Sequence, residues 1–287
     1  MSSLYLNEDL HPDAFAVGAR LPVWGADARH AAQVARVRTG ERIGVGDGRG
    51  QIAWGRVVHV AQGEVAIEAE ELVVETPAAP RIVLVQALAK GDRDELAIQA
   101  ATELGVSAVV PWQAARSVSV WKGDKVAKGL ERWRSVVREA SKQAIRPRVP
   151  DVGELVTTTA LARASRESEG SLVLVLEPSA PESLVAALRL GPEGLAQGPA
   201  DRAPLSEGSA ASADDRGPLS ERSESKGAQG PEELTLIVGP EGGIAPEELR
   251  ELELAGARLV RLGPEVLRTS TAGPAAIAAI SVLLGRW

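Results

Sequence analysis

LTLIVGPEGG, residues 234–243, followed at once by IAPEE, 244–248, is the stretch that decides the fold. Five apolar or β-favouring residues run into a glycine-rich loop, and a proline with two acids then opens a helix. This is the signature of a buried strand whose carboxyl end meets a helix start. In open α/β sheets, ligands bind beyond the carboxyl ends of strands, where glycines let backbone N–H groups come close. The same loop also serves as a plain strand-to-helix turn. GPE recurs at Gly191, Gly230 and Gly263, but only the copy at Gly239 combines the strand, two further glycines and a helix.

A second strand end lies downstream in RLGPEVLRTSTAG, 261–273, where one arginine and three hydroxyls precede a helix. Arg268 suits a phosphate or a polarised carbonyl. Helix capping by Thr269, Ser270 or Thr271 explains the hydroxyls equally well but leaves the arginine unexplained. Neither loop is a Walker A sequence, and GVGDGRG at 44–50 does not satisfy the dinucleotide fingerprint.

Outward from these loops the pattern alternates strand and helix. RIVLVQAL, 81–88, reads as a buried strand; 92–105 as a helix with Leu96, Ala100 and Leu104 on one face, capped by Asp92 with Glu95; and 106–111 as a strand. Residues 124–144 repeat Val126, Leu130, Trp133, Val137 and Ala140 at helical spacing, leaving Lys128, Arg132, Arg134, Arg138 and Lys142 off that stripe. Strands at 171–176, 234–238 and 259–262 and helices at 246–255 and 273–284 complete an α/β domain. Before the linker ETPAAP at 75–80 the runs are short and β-like. Strands at 42–45, 51–60 (alternating through Ile52, Trp54 and Val57) and 65–72, the Asp47-Gly48 turn and one helix at 28–37 capped by Asp27 predict a small barrel. The predicted division is 1–74, a linker at 75–80, and 81–287.

Residues 191–233 interrupt the second domain with seven Gly, five Pro and six Ser against three large aliphatics. Such a segment cannot offset its ordering entropy by burial, so a disordered insert is expected. The chain's 287 residues carry a net charge of −7. That sign opposes a polyanionic partner, but the insert alone contributes nine acids against four bases, whereas 116–148 holds ten bases against three acids. A basic patch on an acidic protein keeps nucleic acid in view, although a solvated helix face fits the same charges.

Cysteine is absent, which excludes disulfides and thiolate metal sites, and His11, His30 and His59 lie too far apart for a zinc cluster. No metal is expected. The N-terminus has three acids where a secretory signal needs a basic start, and the longest apolar run, 275–284, is half of what a membrane span requires. A cytoplasmic protein without a membrane partner is the expectation.

Taken in order, AKGDRDELAIQAATEL (89–104) with Gly105, Arg132-Trp133, Glu139-Ala140, Gln143, Arg146, Val149-Pro150, IVGPEGG (237–243) and LGPEVLRTSTA (262–272) resemble the RsmE family of 16S ribosomal RNA uridine-N3 methyltransferases. HAAQVARVRTGERI, 30–43, resembles that family's opening segment. The resemblance implies a SPOUT-type α/β methyltransferase domain with a C-terminal trefoil knot, preceded by a PUA-like β-barrel and working as a homodimer. It implies S-adenosyl-L-methionine (SAM) held by Leu176, Glu177 and Pro178, by Val238, Gly239, Pro240, Glu241, Gly242 and Gly243, and by Leu262, Gly263, Leu267, Arg268, Thr269 and Thr271. The implied substrate is a decoding-centre uridine of 16S rRNA in the assembled 30S subunit.

On that reading Arg268 stabilises charge on the base or grips a phosphate, Glu241 is the leading proton acceptor, and Thr269 or Thr271 orients the base edge. Arg29, Arg36, Arg38, Arg132, Arg138 and Arg146 would bind RNA. Ser270 and Lys142 stand where glutamate is common in the family. A SPOUT enzyme acting on another RNA, such as tRNA at the ribose 2′-O, and a non-catalytic ribosome-assembly factor are the rival readings.

Overall fold

The computed structural model describes residues 3–61, 63–168, 170–189 and 231–287. Most of the insert expected at 191–233 therefore lies outside the described residues. Its last residue, Glu233, already opens a strand.

The N-terminal unit contains β1 (Leu4–Leu6), β2 (Arg20–Trp24), α1 (Gly25–Arg29), β3 (Arg42–Gly46), β4 (Gln51–Ala61) and β5 (Glu64–Val74), in the sheet order β1-β3-β4-β5-β2. Only the β1–β3 pair is parallel. Tyr5, Leu21, Val23, Val45, Val57 and Ile67 fill its core. The alternation expected along β4 splits between two faces: Ala53 and Val57 join this core, whereas Ile52 packs on Leu4 and Leu6, with Trp54 and Val149 beside them. At Gly55 a Cβ would stand 2.0 Å from the Glu68 carbonyl oxygen, so only glycine admits this bulged pairing.

The second unit comprises β6 (Arg81–Ala87), α2 (Arg93–Glu103), β7 (Ala108–Trp112), α3 (Asp124–Gln143), β8 (Asp151–Val152), α4 (Thr158–Glu167), β9 (Ser171–Leu176), α5 (Leu184–Arg189), β10 (Glu233–Val238), α6 (Pro246–Leu254), β11 (Arg258–Val260) and α7 (Thr269–Leu283). Its six strands are all parallel, in the order β11-β9-β10-β6-β7-β8. Both faces are covered, as parallel sheets require. Ile82, Leu84, Leu174 and Leu236 meet Ile98, Trp133 and Ile277 on one side, while Val85, Val175 and Ile237 meet Leu161 and Leu252 on the other.

Several local expectations shift. The first helix starts at Gly25 rather than 28 and passes into a π-helical turn at His30–Val34, so Asp27 lies inside the helix and caps nothing. Asp92 sits before α2 with φ +59° and makes no side-chain cap, and α2 buries Ala97, Ile98, Ala101 and Thr102 while Leu96 is exposed. Helix α7 begins at Thr269, four residues early, and carries Pro274 inside it.

The largest correction concerns charge. Arg138 and Lys142, expected off the apolar stripe of α3, converge on Asp27, which is 4% exposed. Lys142 Nζ lies 2.8 Å from one Asp27 oxygen, Arg138 donates to the other at 3.0 Å, and the Leu6 N–H adds 2.8 Å. Arg138 also pairs with Glu8 at 3.1 Å, and Lys142 with Glu139 at 2.9 Å. A backbone seam runs beside this cluster, with Gly50 N–H donating to the Pro147 carbonyl and Val149 N–H to that of Gly48. Arg148 pairs with Glu75 at 2.9 Å.

Burial pushes the Asp27 carboxyl up, but the hydrogen bonds from Arg138, Lys142 and Leu6 outweigh it and hold it below the usual aspartate value. Its stabilisation is thus complete above the unfolded value of about 4 and lost as pH falls through the depressed folded value. Asp27→Ala leaves two cations facing each other in a buried seam and should cost about 3–5 kcal/mol in urea unfolding at neutral pH. A loss under 1 kcal/mol would show that the seam is held by its backbone bonds alone.

Candidate functional site

The carboxyl ends of β9, β10 and β11 open onto one cavity of about 330 Å³. That volume falls within the range of small-molecule and cofactor sites. Leu176, Glu177 and Pro178 line it from β9; Val238, Gly239, Pro240, Glu241 and Gly243 from β10; and Leu262, Gly263, Leu267, Arg268 and Thr269 from the last loop and α7. Residues named from three separated stretches thus meet in space.

Two do not. Gly242 turns outward, accepting a 3.2 Å hydrogen bond from Arg116 at its carbonyl. Thr271 is exposed on the first turn of α7, where its N–H donates to the Arg268 carbonyl. Glu265 and Val266, inside the 262–271 loop that the resemblance assigns to SAM, line the cavity as well, as do Arg93, Ile244, Val260, Arg261 and Ala272, which the sequence did not single out. Arg93 lay in the quoted 89–104 motif, but nothing local tells that its guanidinium crosses to another loop.

The glycines have particular work. A Cβ on Gly239 would fall 2.6 Å from Ile244 Cγ1, and Gly243 has φ +71°. The first lets the loop fold back on itself, and the second supplies a left-handed turn that other residues resist. Thr269 fixes the loop from below: its hydroxyl donates to the Gly239 carbonyl at 2.7 Å and accepts from Gln86 Nε2 at 2.8 Å. Thr269 is 6% exposed and Gln86 fully buried. With its hydroxyl committed in both directions, Thr269 braces the site and is not free to orient a substrate.

Glu241 also differs from expectation. Its Oε1 accepts from the Lys90 N–H at 3.1 Å and from Arg93 at 3.0 Å. Partial burial raises its pKa, yet its own N–H, the Lys90 N–H and Arg93 together bring it below the usual glutamate value. A carboxylate so stabilised as the anion is a poor proton acceptor. Arg268, by contrast, is exposed and makes no ion pair or side-chain hydrogen bond among the described residues. Arg261 donates to the Ala180 and Pro181 carbonyls and belongs to the framework.

Glu248, 7% exposed, holds the loop before α3 against the glycine loop. Its Oε1 accepts from the Ala115 N–H at 2.9 Å and the Thr158 hydroxyl at 2.6 Å, and its Oε2 from the Ala245 N–H at 3.2 Å. In the sequence it reads only as an acid in a helix's first turn.

The arginines proposed for RNA divide. Arg29, Arg36 and Arg38 are exposed on the N-terminal unit, and Arg132 is exposed beside Glu95 at 2.8 Å. Arg138 is spent in the Asp27 seam, and Arg146 donates to the Thr102 carbonyl at 2.8 Å, so both are structural. Among the described residues no group of His, Cys, Asp and Glu could hold a metal ion, and no helix is long and apolar enough to cross a membrane.

Comparison with known proteins settles the family. Residues 76–199 and 207–281 match the RNA methyltransferase domain, and 25–70 match the RNA methyltransferase PUA domain. A Mycobacterium tuberculosis protein named ribosomal RNA small subunit methyltransferase E is 40% identical over 289 residues, covering 100% of this chain and 94% of the relative. The chain belongs to the ribosomal RNA small subunit methyltransferase E family. A Bacillus subtilis protein of that name is 27% identical, covering 90% of this chain and 88% of the relative. Among solved structures, a Legionella pneumophila methyltransferase in complex with SAM superposes with a TM-score of 0.71 at 25% identity, covering 100% of this chain and 98% of the other. The methyltransferase E of Neisseria gonorrhoeae shares the fold at a TM-score of 0.72 and 24% identity, with coverage of 99% and 98%.

In this member of the methyltransferase E family, Glu248→Ala strands two backbone donors and a hydroxyl. Hydrogen exchange at the Ala115 and Ala245 amides should accelerate at least about tenfold, the equivalent of one lost buried hydrogen bond. Unchanged protection would show that the two loops are held elsewhere.

Proposed function

We propose that this chain transfers the methyl group of SAM to N3 of a decoding-centre uridine in 16S rRNA, acting on the assembled 30S subunit in the cytoplasm. The reading includes a homodimer, a PUA-like barrel at 1–74 joined by 75–80 to the methyltransferase domain at 81–287, and a trefoil knot near the C-terminus of that domain. One observation carries it: three strand-end loops enclose a single cavity in a chain alike over its full length to a named methyltransferase E.

The residues present fit SAM. With Gly239 letting its loop fold back against Ile244, the loops offer backbone groups and the apolar Leu176, Val238, Leu262 and Leu267 to a ligand that is part adenine and part amino acid. SAM supplies an activated methyl group. The chain's own contribution is to align that methyl with the base and to exclude water.

Uracil N3–H is a weak acid between two carbonyls; its proton would pass to solvent at the open rim, and the charge left behind spreads onto those oxygens. Arg268, exposed and without an ion pair among the described residues, would stabilise that charge or hold the neighbouring phosphate. Glu241, already bound by Arg93 and Lys90, orders the wall instead of taking the proton. Arg29, Arg36, Arg38 and Arg132 would engage the RNA backbone.

Arg268→Ala should lower the methyl-transfer rate on 30S subunits by about a hundredfold or more, the usual cost of losing one charge-stabilising group, with SAM affinity within about threefold of wild type. SAM affinity and rate falling together would move Arg268 to a cofactor-gripping role. No transfer by the wild-type chain to any RNA would reject the proposed function.

A further inference from the structure

A second cavity, of about 320 Å³, lies beside the first. Its near wall is the segment 89–95, from which the Lys90 N–H and the Arg93 guanidinium reach Glu241 in the first cavity. The two cavities therefore share this segment. The far wall is α3 and the loop before it, contributing Trp121, Gly129, Arg132 and Trp133.

This wall is built, not incidental. A Cβ on Gly129 would meet the Trp121 ring at 2.6 Å, so glycine is what allows that indole to lie against α3. Trp133 packs edge-on to it, with ring centres 5.7 Å apart at 79°. Trp133 is 1% exposed, and its Nε1–H, shielded from solvent, has no acceptor among the described residues. Asp94, 6% exposed, brings a buried carboxyl to the same cavity, and Lys90 and Arg132 are exposed cations on its lining.

These groups select among ligands. A simple anion would satisfy the cations but meet the carboxylates of Asp92, Asp94 and Glu95. Arg132 and Glu95 pair with each other at 2.8 Å, but an apolar ligand would leave Lys90 and Asp92 without a partner. A flat heterocycle bearing N–H groups and attached to phosphate meets these groups: a ring face for Trp121, N–H groups for the carboxylates of Asp92 and Glu95, and phosphate for Lys90 and Arg132, while Asp94 already accepts from the Glu95 N–H at 3.0 Å. Base stacking on an aromatic side chain is a main source of affinity for single-stranded nucleic acid, and carboxylates accept from exocyclic amines.

We propose that this cavity takes one extruded base of the substrate RNA, next to the base that is methylated and carrying an exocyclic amine. The inference rests on the proposed function for its substrate class. It makes Trp121 a specificity residue in a chain whose chemistry occurs across the shared wall, and the unstacking cost of the extra base falls on flexible or unpaired RNA least.

The test compares wild type with Trp121→Ala, Trp121→Phe and the surface variant Arg132→Ala, using 30S subunits as substrate. Trp121→Ala should raise KM for the subunit about tenfold, as loss of one stacked base predicts, leaving kcat and SAM affinity within twofold. Trp121→Phe should stay near wild type and Arg132→Ala should raise KM severalfold. Ultraviolet crosslinking of the complex should join the peptide 121–133 to a nucleotide other than the methylated uridine. Unchanged KM in both Trp121→Ala and Arg132→Ala, equal loss of SAM affinity, or crosslinks to this peptide from the methylated uridine alone would overturn the proposal. If the wild type transfers no methyl, the functional reading fails by itself, and binding of the same variants to 30S subunits still decides the cavity's role.

Discussion

The hydroxyl of Thr269 is the point on which the site depends. It joins Gln86 at the end of β6, the Gly239 carbonyl at the end of β10, and the first turn of α7. Gln86 and Thr269 are shielded from water, so breaking the bond between them would carry the full desolvation cost instead of the modest net value of an exposed hydrogen bond. With this chain of bonds in place, the glycine loop and the loop before α7 have fixed positions and a cavity exists between them. Close packing supports the same junction, since a Cβ on Gly273 would stand 2.9 Å from Leu84 Cδ1. Helix α7 approaches β6 this nearly because its contact residue has no side chain.

The Asp27 seam plays the corresponding part between the two units. Burying two cations and a carboxylate is costly unless each is paired and hydrogen-bonded, and here the cluster takes three donors on Asp27 and further acceptors from Glu8 and Glu139. Such a cluster fixes one arrangement more than it adds stability. Of the exposed arginines, Arg29 ends the helix that carries Asp27, and Arg36 and Arg38 follow the His30–Val34 turn after it, so the seam with α3 ties this segment to the second unit.

What could be seen in the sequence follows from distance along the chain. The strand at 234–238, its glycine loop and the succession of strands and helices were legible because a buried parallel strand and a helix start are local patterns. The phase of α2 was not, since Leu96 is a stronger apolar signal than Ala97 or Ala101 yet faces solvent. Lys142 read as a solvated cation because its partner Asp27 lies 115 residues away, and Thr269 read as a cap or a substrate contact because its partner Gln86 lies 183 residues away. Glu241 shows the same limit: an acid in a glycine loop looks like a base until Arg93 and Lys90 are found upon it. The family resemblance supplied the three cavity loops where local pattern supplied two strand ends.

The most direct measurement incubates the purified chain with labelled SAM and, in parallel, unmodified 30S subunits, naked 16S rRNA and tRNA, then identifies the methylated nucleoside by chromatography and mass spectrometry. The account predicts 3-methyluridine, formed on 30S subunits and not on the other two. A ribose-methylated nucleoside, or label entering tRNA, would contradict it.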